Sequence, residues 1–308
     1  MASLTQRRRA GPTPRGRPRR QWVPYVLIAP SVLLMIVFLL YPITSVFYYS
    51  LQHYNVAEPW NNGFAGLDNY RRMLFEDPLF WQSLGFTAQW VGWEIALQLL
   101  FGLLLALIVN EAFRFRGLAR ATVFAPWAIS GVLTTVLWIL IYSPTTGFLR
   151  FLADLGIGDP GTALLANPDT VFGAAVVAEL WRGVPFFAIL LLADLQTASK
   201  DLYEAASVDG ANRWRRFWHI TLPHLKNAIV LSTLLRGVWE FNNVDLLYTL
   251  TGGGPANATT TLPLYVARQA VDSYNFGYGS ALTTAGFALL LICSVTYLRL
   301  SRFGGDRT

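Results

Sequence analysis

Polar and aromatic side chains are mixed within the last part of an apolar run at 223–247. Amides and carboxylates hydrogen-bond to hydroxyl groups, and aromatic rings stack on the apolar faces of sugar rings. A charged side chain at the centre of a bilayer costs about 2.5 to 3.5 kcal/mol on insertion scales, so such residues usually face a protein interior or a cavity. The pattern predicts a pathway for a hydroxyl-rich substrate, lined by Trp239, Glu240, Asn242, Asn243 and Asp245.

A second interpretation of the same charges is purely structural. Arg236 and Glu240 are four residues apart and can pair along one helix face. Glu94, midway through another apolar run at 83–110, either pairs with Arg236 or lines the pathway. We expect Glu179 and Arg182, in the run at 171–194, to pair with each other or to extend towards the membrane interface.

A charged stretch at 195–222 contains EAASVDGANRWRRFWHITLP and interrupts the apolar sequence. Ser199 or Asp201 can cap a first helix, and Gly210 can take the left-handed conformation that ends it. Asn212 can cap a second helix, which we expect to stop where Pro223 begins the next apolar run. The spacing therefore predicts a helix, a glycine turn and a second short helix.

Two roles are open for this helical stretch. Ala205 and Ala206 leave the first helix thin enough to enter a groove on another protein, where Glu204, Arg213 and Arg216 can make charged contacts. Alternatively, the stretch lies on lipid headgroups and inserts its aromatic side chains. Those side chains are Trp214, Phe217 and Trp218.

Composition identifies the elements that must position these residues. Of the 308 residues, 54% are hydrophobic and only 14% are charged, which is typical of a membrane protein. Six runs are long enough to cross about 30 Å of hydrocarbon as helices. We expect an all-α polytopic membrane protein, with crossings at about 22–51, 83–110, 118–142, 171–194, 223–247 and 280–300.

The distribution of basic residues predicts the orientation. Seventeen of the 24 Lys and Arg residues lie in or beside segments 1–21, 111–117, 195–222 and the end of the chain, whereas four lie in the other loops. The positive-inside rule then places both termini and the helical stretch in the cytosol. We expect the Arg- and Pro-rich tail at 1–21 to be disordered and not a signal peptide, and the remainder, 22–308, to form the membrane domain.

Several motifs in this order resemble the permease subunits of binding-protein-dependent ABC importers. The motifs are EAA at 204–206, DGA at 209–211 and ITLP at 220–223, and a preceding WRGVPFFAILLLADLQ and a later LTGGGP resemble the maltose-type carbohydrate permeases. The resemblance implies that the stretch at about 195–223 is a coupling loop that docks into a cytosolic ATPase subunit. The implied contact residues are Glu204, Ala205, Ala206, Asp209, Gly210, Ala211, Arg213 and Arg216.

The chain departs from the family pattern at the start of this loop. Members commonly have Gly at the position of Asp194 and Ile-Pro where this chain has Ala198 and Ser199. The large external domain inserted in some maltose permeases has no counterpart here. The three glycines at 252–254 lie in a loop predicted to be external; we expect a turn, and the resemblance implies a site near the external gate.

The sequence itself excludes most enzymatic functions. There is no G-x-x-x-x-G-K-[ST] phosphate loop, so ATP must be hydrolysed by another chain. The one cysteine, Cys293, permits no internal disulfide, and no metal-ligand set or catalytic constellation is apparent. We expect no cofactor and no nucleic acid.

The resemblance implies a permease subunit in the bacterial inner membrane that imports a carbohydrate, such as a di- or oligosaccharide. Its implied partners are a second permease subunit, two copies of a cytosolic ATPase subunit and an extracytoplasmic sugar-binding protein. Two alternatives stay open at this point. One is an ABC importer for glycerol-phosphate-type polyols, and the other is an ion-coupled secondary transporter.

Overall fold

The computed structural model describes residues 22–156 and 163–301, and most of these residues are helical. The chain divides into two units, Met1–Ser45 and Val46–Thr308, and all the packing described below lies within the second. The predicted tail at 1–21 and the last seven residues lie outside the described residues.

The first half of the described chain holds a short antiparallel hairpin, in which Gln52 pairs with Phe64. Its elements are α1 (Val23–Met35), α2 (Tyr41–Ser50), β1 (Gln52–His53), β2 (Gly63–Phe64), α3 (Asp68–Phe75), α4 (Pro78–Asn110), α5 (Arg116–Ala128), α6 (Gly131–Tyr142) and α7 (Phe148–Asp154). In the described part of the second half, the regular elements are all helices. Its elements are α8 (Pro168–Leu195), α9 (Lys200–Val208), α10 (Arg213–Arg216), α11 (Leu222–Phe241), α12 (Asp245–Leu250), α13 (Leu262–Ala267) and α14 (Phe276–Leu300).

Among the described residues, four helical segments are long and apolar enough to cross a bilayer: Pro24–Ser50, α4, α8 and α14. The pair α5 and α6 can form a fifth crossing, but the two helices meet at 97°. The sequence predicted a single helical crossing there, at about 118–142. Pro126 removes a backbone donor two residues before α5 ends, and Ile129 is extended at ψ 139°, so the chain turns sharply.

The run predicted to cross at 223–247 is divided between two helices. α11 ends at Phe241, and α12 begins at Asp245 after a short turn. α11 has 20 residues, but it carries Lys226, Arg236 and Glu240 and is not apolar enough to count among the membrane-crossing helices. Six crossings, and cytosolic termini, therefore remain predictions.

The longest helices, α4 and α8, pack closely against each other. A Cβ atom on Gly102 of α4 would overlap the side chain of Phe187, and one on Gly183 of α8 would overlap the amide of Gln98. Within lipid there is little hydrophobic driving force between helices, so small residues stabilise helix pairs by allowing close van der Waals contact. The two glycines set the separation of this pair.

Apolar clusters cover the two ends of the α4–α8 pair. One cluster, which includes Trp90 and Ala178, joins the pair to α6 and α12. Another, which includes Ala106 and Phe187, joins the pair to α11 through Leu225. Between these clusters, the facing residues of α4 and α8 are polar.

Candidate functional site

Six polar side chains from three helices meet between the two apolar clusters. We call them the polar cluster: Glu94 and Gln98 of α4, Glu179 and Arg182 of α8, and Arg236 and Glu240 of α11. Within each helix the two members are three or four residues apart, so they lie on one face. All except Arg182 are buried.

Arg236 is the centre of the polar cluster. Its Nε donates to Gln98 Oε1 at 2.7 Å, and one terminal nitrogen donates to Glu179 Oε1 at 2.7 Å. The same guanidinium is paired with Glu240 one turn along α11. Arg236 therefore connects α11 to both α4 and α8.

Gln98 lies between the Arg236 guanidinium and two carboxyl groups and bonds to all three. Its Nε2 donates to Glu94 Oε2 at 2.8 Å and to Glu240 Oε1 at 3.2 Å, while its carbonyl oxygen accepts from Arg236. On α8, a terminal nitrogen of Arg182 donates to Glu179 Oε1 at 2.9 Å. The predicted pairing of Glu179 with Arg182 is confirmed.

The cluster holds three carboxyl groups and two guanidinium groups, and not every polar atom in it is paired. Among buried side-chain atoms of the described residues, four have no hydrogen-bond partner. They are Trp90 Nε1, Glu94 Oε1, Thr134 Oγ1 and Arg182 Nε. A buried polar atom without a hydrogen-bond partner lowers the stability of the folded protein. These donors and acceptors can therefore be satisfied by a hydroxyl-rich substrate or by water.

The predicted helix-turn-helix occurs in the stretch between α8 and α11. Gly210 follows α9 with φ +76°, and Asn212 caps α10 by accepting from the backbone N–H of Arg215 at 2.8 Å. Arg216 donates to Ser207 Oγ at 2.8 Å, which fixes α10 against α9. The glycine turn and the Asn212 cap are confirmed.

Two details of the prediction for this stretch are wrong. Ser199 is at the cap position of α9 but its side chain makes no capping bond, and α9 begins before Asp201. The second helix does not stop at Pro223 but continues through a π-helical turn, Phe217–Thr221, into α11. Proline is tolerated in the first turn of a helix because the missing N–H has no obligatory partner there.

The helical stretch presents a mixed surface. Glu204, Ala205, Asp209, Gly210 and Arg213 are exposed, whereas Ala206, Ala211 and Arg216 are half-buried. Its exposed apolar side chains are Leu202, Val208, Trp214 and Trp218. Such a surface fits either the groove of a protein partner or a lipid interface.

Both the motifs and the fold agree with known transport proteins. The profile of the family described as binding-protein-dependent transport system inner membrane component matches residues 98–303. The trehalose/maltose transport system permease protein MalF of Thermococcus litoralis is 36% identical over 285 residues, which cover 92% of this chain and 94% of that relative. The chain belongs to this family of inner membrane components.

Other members of the family match over a similar length. The trehalose transport system permease protein SugA of Mycobacterium tuberculosis and the sulfoquinovosyl glycerol transport system permease protein SmoG of Agrobacterium fabrum are each 33% identical. The matches cover 90% of this chain and 87% and 89%, respectively, of those relatives.

A solved structure of a related fold confirms the predicted fold class. In the bacterial alginate ABC transporter in complex with alginate pentasaccharide-bound periplasmic protein, one chain superposes with a TM-score of 0.78 at 22% identity. The superposition covers 92% of this chain and 95% of that chain. The protein is therefore a multi-pass membrane protein with the helical fold of an ABC permease.

The family profile begins at Gln98 and includes the helical stretch and most of the polar cluster. The residues predicted to line a pathway divide into two groups. Glu94 and Glu240 both accept from Gln98, and Asn243 Nδ2 lies 3.5 Å from Glu240 Oε2. Asp245 lies beside Arg182, where both flank Gly131 of α6.

The other two predicted residues lie outside the polar cluster. Trp239 is half exposed and its ring lies 5.2 Å from that of Phe186. Asn242 is exposed and donates to the backbone oxygen of Val238. Gln98 was not predicted as a site residue, although it is four residues after Glu94 on the same helix face.

A second group of polar residues fixes the N-terminal end of α4. Asp77 accepts from Tyr265 at 2.6 Å and also from Tyr278, so α4 is joined to α13 and α14. Arg72 lies 4.6 Å over the Tyr278 ring. Burial, together with the hydrogen bond to Asp77, raises the pKa of the Tyr265 phenol above its usual range. No sequence motif predicted this group.

The glycine-rich segment at 252–254 is a tight turn, as predicted. Gly252 and Gly253 have φ values of +58° and +84°, which favour glycine. Arg268 holds the turn by donating to Gly252 O and, at 2.7 Å, to Asn257 Oδ1.

Proposed function

We propose that this chain is the transmembrane permease subunit of an ATP-driven importer for a carbohydrate such as a di- or oligosaccharide. The observation that carries this proposal is its 36% identity, over nearly the whole length of both chains, to a trehalose/maltose permease protein. A relative that transports trehalose supports the same substrate class. Membership of a binding-protein-dependent family disfavours an ion-coupled secondary transporter.

The proposed complex contains four further subunits. An extracytoplasmic binding protein delivers the sugar, a second permease subunit completes the pathway, and two ATPase subunits supply the energy. The sequence supports this division because it has no phosphate loop of its own. The alginate transporter that shares the fold was solved with a periplasmic protein.

In this proposal the stretch at 195–223 transmits the ATPase motion to the membrane helices. It is short, its second helix is capped by Asn212, and it links the end of α8 to the start of α11, so a displacement at its surface is transmitted to both helices. The proposed contact residues are Glu204, Ala205, Ala206, Asp209, Gly210, Ala211, Arg213 and Arg216.

The substrate pathway is proposed to run beside the polar cluster. Glu94 Oε1 and Arg182 Nε are buried without partners, and Asp245 lies near Arg182. A sugar hydroxyl can both donate and accept, so it can satisfy both kinds of atom. The proposed lining residues are Glu94, Trp239, Glu240, Asn242, Asn243 and Asp245.

A second candidate substrate is an anionic glycerol derivative. One relative transports sulfoquinovosyl glycerol, which carries a sulfonate. In this chain, the unpaired Nε of Arg182 is a cationic donor that such an anion can use. A glycerol phosphate diester has the same combination of an anion and hydroxyl groups.

The experiment is transport by the purified complex in proteoliposomes, with its binding protein outside and ATP inside. Trehalose, maltose, sulfoquinovosyl glycerol and glycerol 3-phosphate are supplied separately. We expect ATP-dependent uptake and ATPase stimulation with trehalose or maltose. Uptake of only the anionic compounds supports the second candidate, and uptake that a protonophore abolishes without ATP depletion contradicts both.

A further inference from the structure

Gln98 is the one uncharged member of the polar cluster, and it contacts three of the five others. Its carbonyl oxygen accepts from Arg236, and its amide nitrogen donates to Glu94 and Glu240. A side-chain amide donates to a carboxylate through its nitrogen and accepts from a guanidinium through its oxygen without adding charge. Gln98 is fully buried, so these bonds have no competition from bulk water.

A glycine in α8 leaves the space that this amide occupies. A Cβ atom on Gly183 would overlap the Gln98 carbonyl carbon and nitrogen, so any larger residue there must displace the amide. By contrast, a Cβ atom on Gly173 of the same helix meets nothing within 4 Å. The absence of a side chain at 183 therefore makes the space in which Gln98 reaches Arg236.

The position of the polar cluster gives this arrangement a mechanical consequence. α8 leads into the helical stretch at 195–223 and α11 leads out of it, and the two helices are joined by Arg236 and Glu179. α4 is joined to α11 through Gln98 alone among the hydrogen bonds of the polar cluster. Without the Gln98 amide, Arg236 loses one acceptor and both Glu94 and Glu240 lose a donor.

We propose that Gln98 is a positioning residue, whose amide, seated against Gly183, holds Arg236 and Glu240 so that α4 moves together with α8 and α11 during transport. The expected effect on transport rests on the proposed function, whereas the contacts of Gln98 do not depend on it. This role predicts that variants without the amide hydrolyse ATP with less substrate moved. If Gln98 only filled space, replacing its amide with an apolar group of similar size would change neither ATP hydrolysis nor substrate movement.

The first measurement reports on helix position and needs no substrate. Spin labels are placed at Gln89→Cys on α4 and Leu235→Cys on α11, both exposed sites, in a Cys293→Ser background. The distance distribution in the assembled complex is then compared with that of Gln98→Met, which keeps the size but not the amide. We expect a single narrow distribution to become broad in Gln98→Met and in Gly183→Ala.

The controls are matched by helix and by chemistry. Gly173→Ala is the control for Gly183→Ala, and Gln89→Met, in the unlabelled protein, is the transport control for Gln98→Met. If Gln98→Met does not assemble, Gln98→Glu keeps the acceptor for Arg236 and removes both donors. Combining it with Glu94→Gln restores the number of charges and one donor, and we expect partial recovery.

The second measurement is trehalose or maltose transported per ATP hydrolysed in proteoliposomes. We expect at least a tenfold fall in this ratio in Gln98→Met and Gly183→Ala, with complex yield changed far less. The double variant Gln98→Ala/Gly183→Ala should behave like Gln98→Ala alone, because both changes act through the same amide.

Two results overturn the inference. One is recovery of wild-type distances and transport in the double variant, which would mean that the two residues only fill space. The other is an unchanged distance distribution in Gln98→Met. If the distances broaden as expected but the wild-type complex transports neither sugar, the proposed substrate is wrong and the role of Gln98 stands.

Discussion

At the scale of single residues, buried charges decide more than exposed ones. Arg236 makes three polar contacts within the polar cluster and is buried, whereas Arg71 pairs with Glu76 at 3.8 Å on an exposed surface. Removing one partner of a buried pair leaves an uncompensated charge, while exposed pairs contribute little.

We therefore expect Arg236→Ala to lower the free energy of unfolding of the assembled protein by about 3 to 5 kcal/mol. Arg71→Ala, the exposed control, should change it by at most about 1 kcal/mol. Denaturation of the detergent-solubilised complex measures both. Equal effects in the two variants would contradict the structural assignment of Arg236.

Tyr265 gives a pH-dependent prediction outside the membrane-spanning segments. Its pKa is raised in the folded protein, so the folded state keeps the phenol protonated when the unfolded chain has begun to ionise. The contribution to stability is complete below about pH 10, the usual tyrosine pKa, and is lost as the pH rises further.

In Tyr265→Phe the bond to Asp77 is absent, so stability at neutral pH should fall by about 1.5 to 3 kcal/mol. The additional loss above about pH 10 should become shallower than in the unchanged protein. Thermal unfolding from pH 7 to 11 tests this, with Tyr48→Phe, an exposed tyrosine, as the control. A variant that retains the full alkaline loss would exclude Tyr265 as its source.

Sequence spacing predicted which charged residues pair within one helix, but not which residues pair between helices. Glu179 with Arg182, and Arg236 with Glu240, are spaced for pairing along one helix. The bonds from Gln98 to Arg236 and from Arg236 to Glu179 join residues more than 50 positions apart. Helix periodicity carries no information about such contacts, because it does not say which helix faces which.

At the scale of elements, the helical stretch was the most predictable part of the chain. Its turn glycine and the Asn212 cap are local features that depend on neighbouring residues only. The 97° bend between α5 and α6 was missed, although Pro126 lies beside it. A proline in an apolar run can be accommodated by a mild kink or by a sharp turn, and only the packing around it selects between them.

The proposed coupling role of this element predicts a specific loss. Glu204→Lys reverses an exposed charge, and Gly210→Pro cannot adopt φ +76°. We expect both variants to insert and accumulate normally but to lose sugar-stimulated ATPase activity. Gly117→Ala, at an exposed position with open space around it, is the control. Normal transport in both variants would contradict the coupling assignment.

At the scale of the whole molecule, the orientation rests on the distribution of basic residues. In a Cys293→Ser background, we expect Asn61→Cys to react with a membrane-impermeant maleimide in intact cells. Lys200→Cys should react only after the membrane is opened, because it is predicted to lie in the cytosol. Both side chains are exposed, so access to the reagent is not limited by burial. The opposite labelling pattern would invert the predicted topology.

The order of the residues was sufficient to predict a helical membrane protein, the positions of its apolar runs and the motifs that relate it to permeases. These properties depend on composition, local spacing and order along the chain, all of which can be read without a partner. Gln98, Glu179 and Arg236 form one buried group around Gly183, and this grouping is evident only from the folded protein. That outcome depends on close approach between distant helices, and a glycine permits such an approach without indicating what will occupy the space.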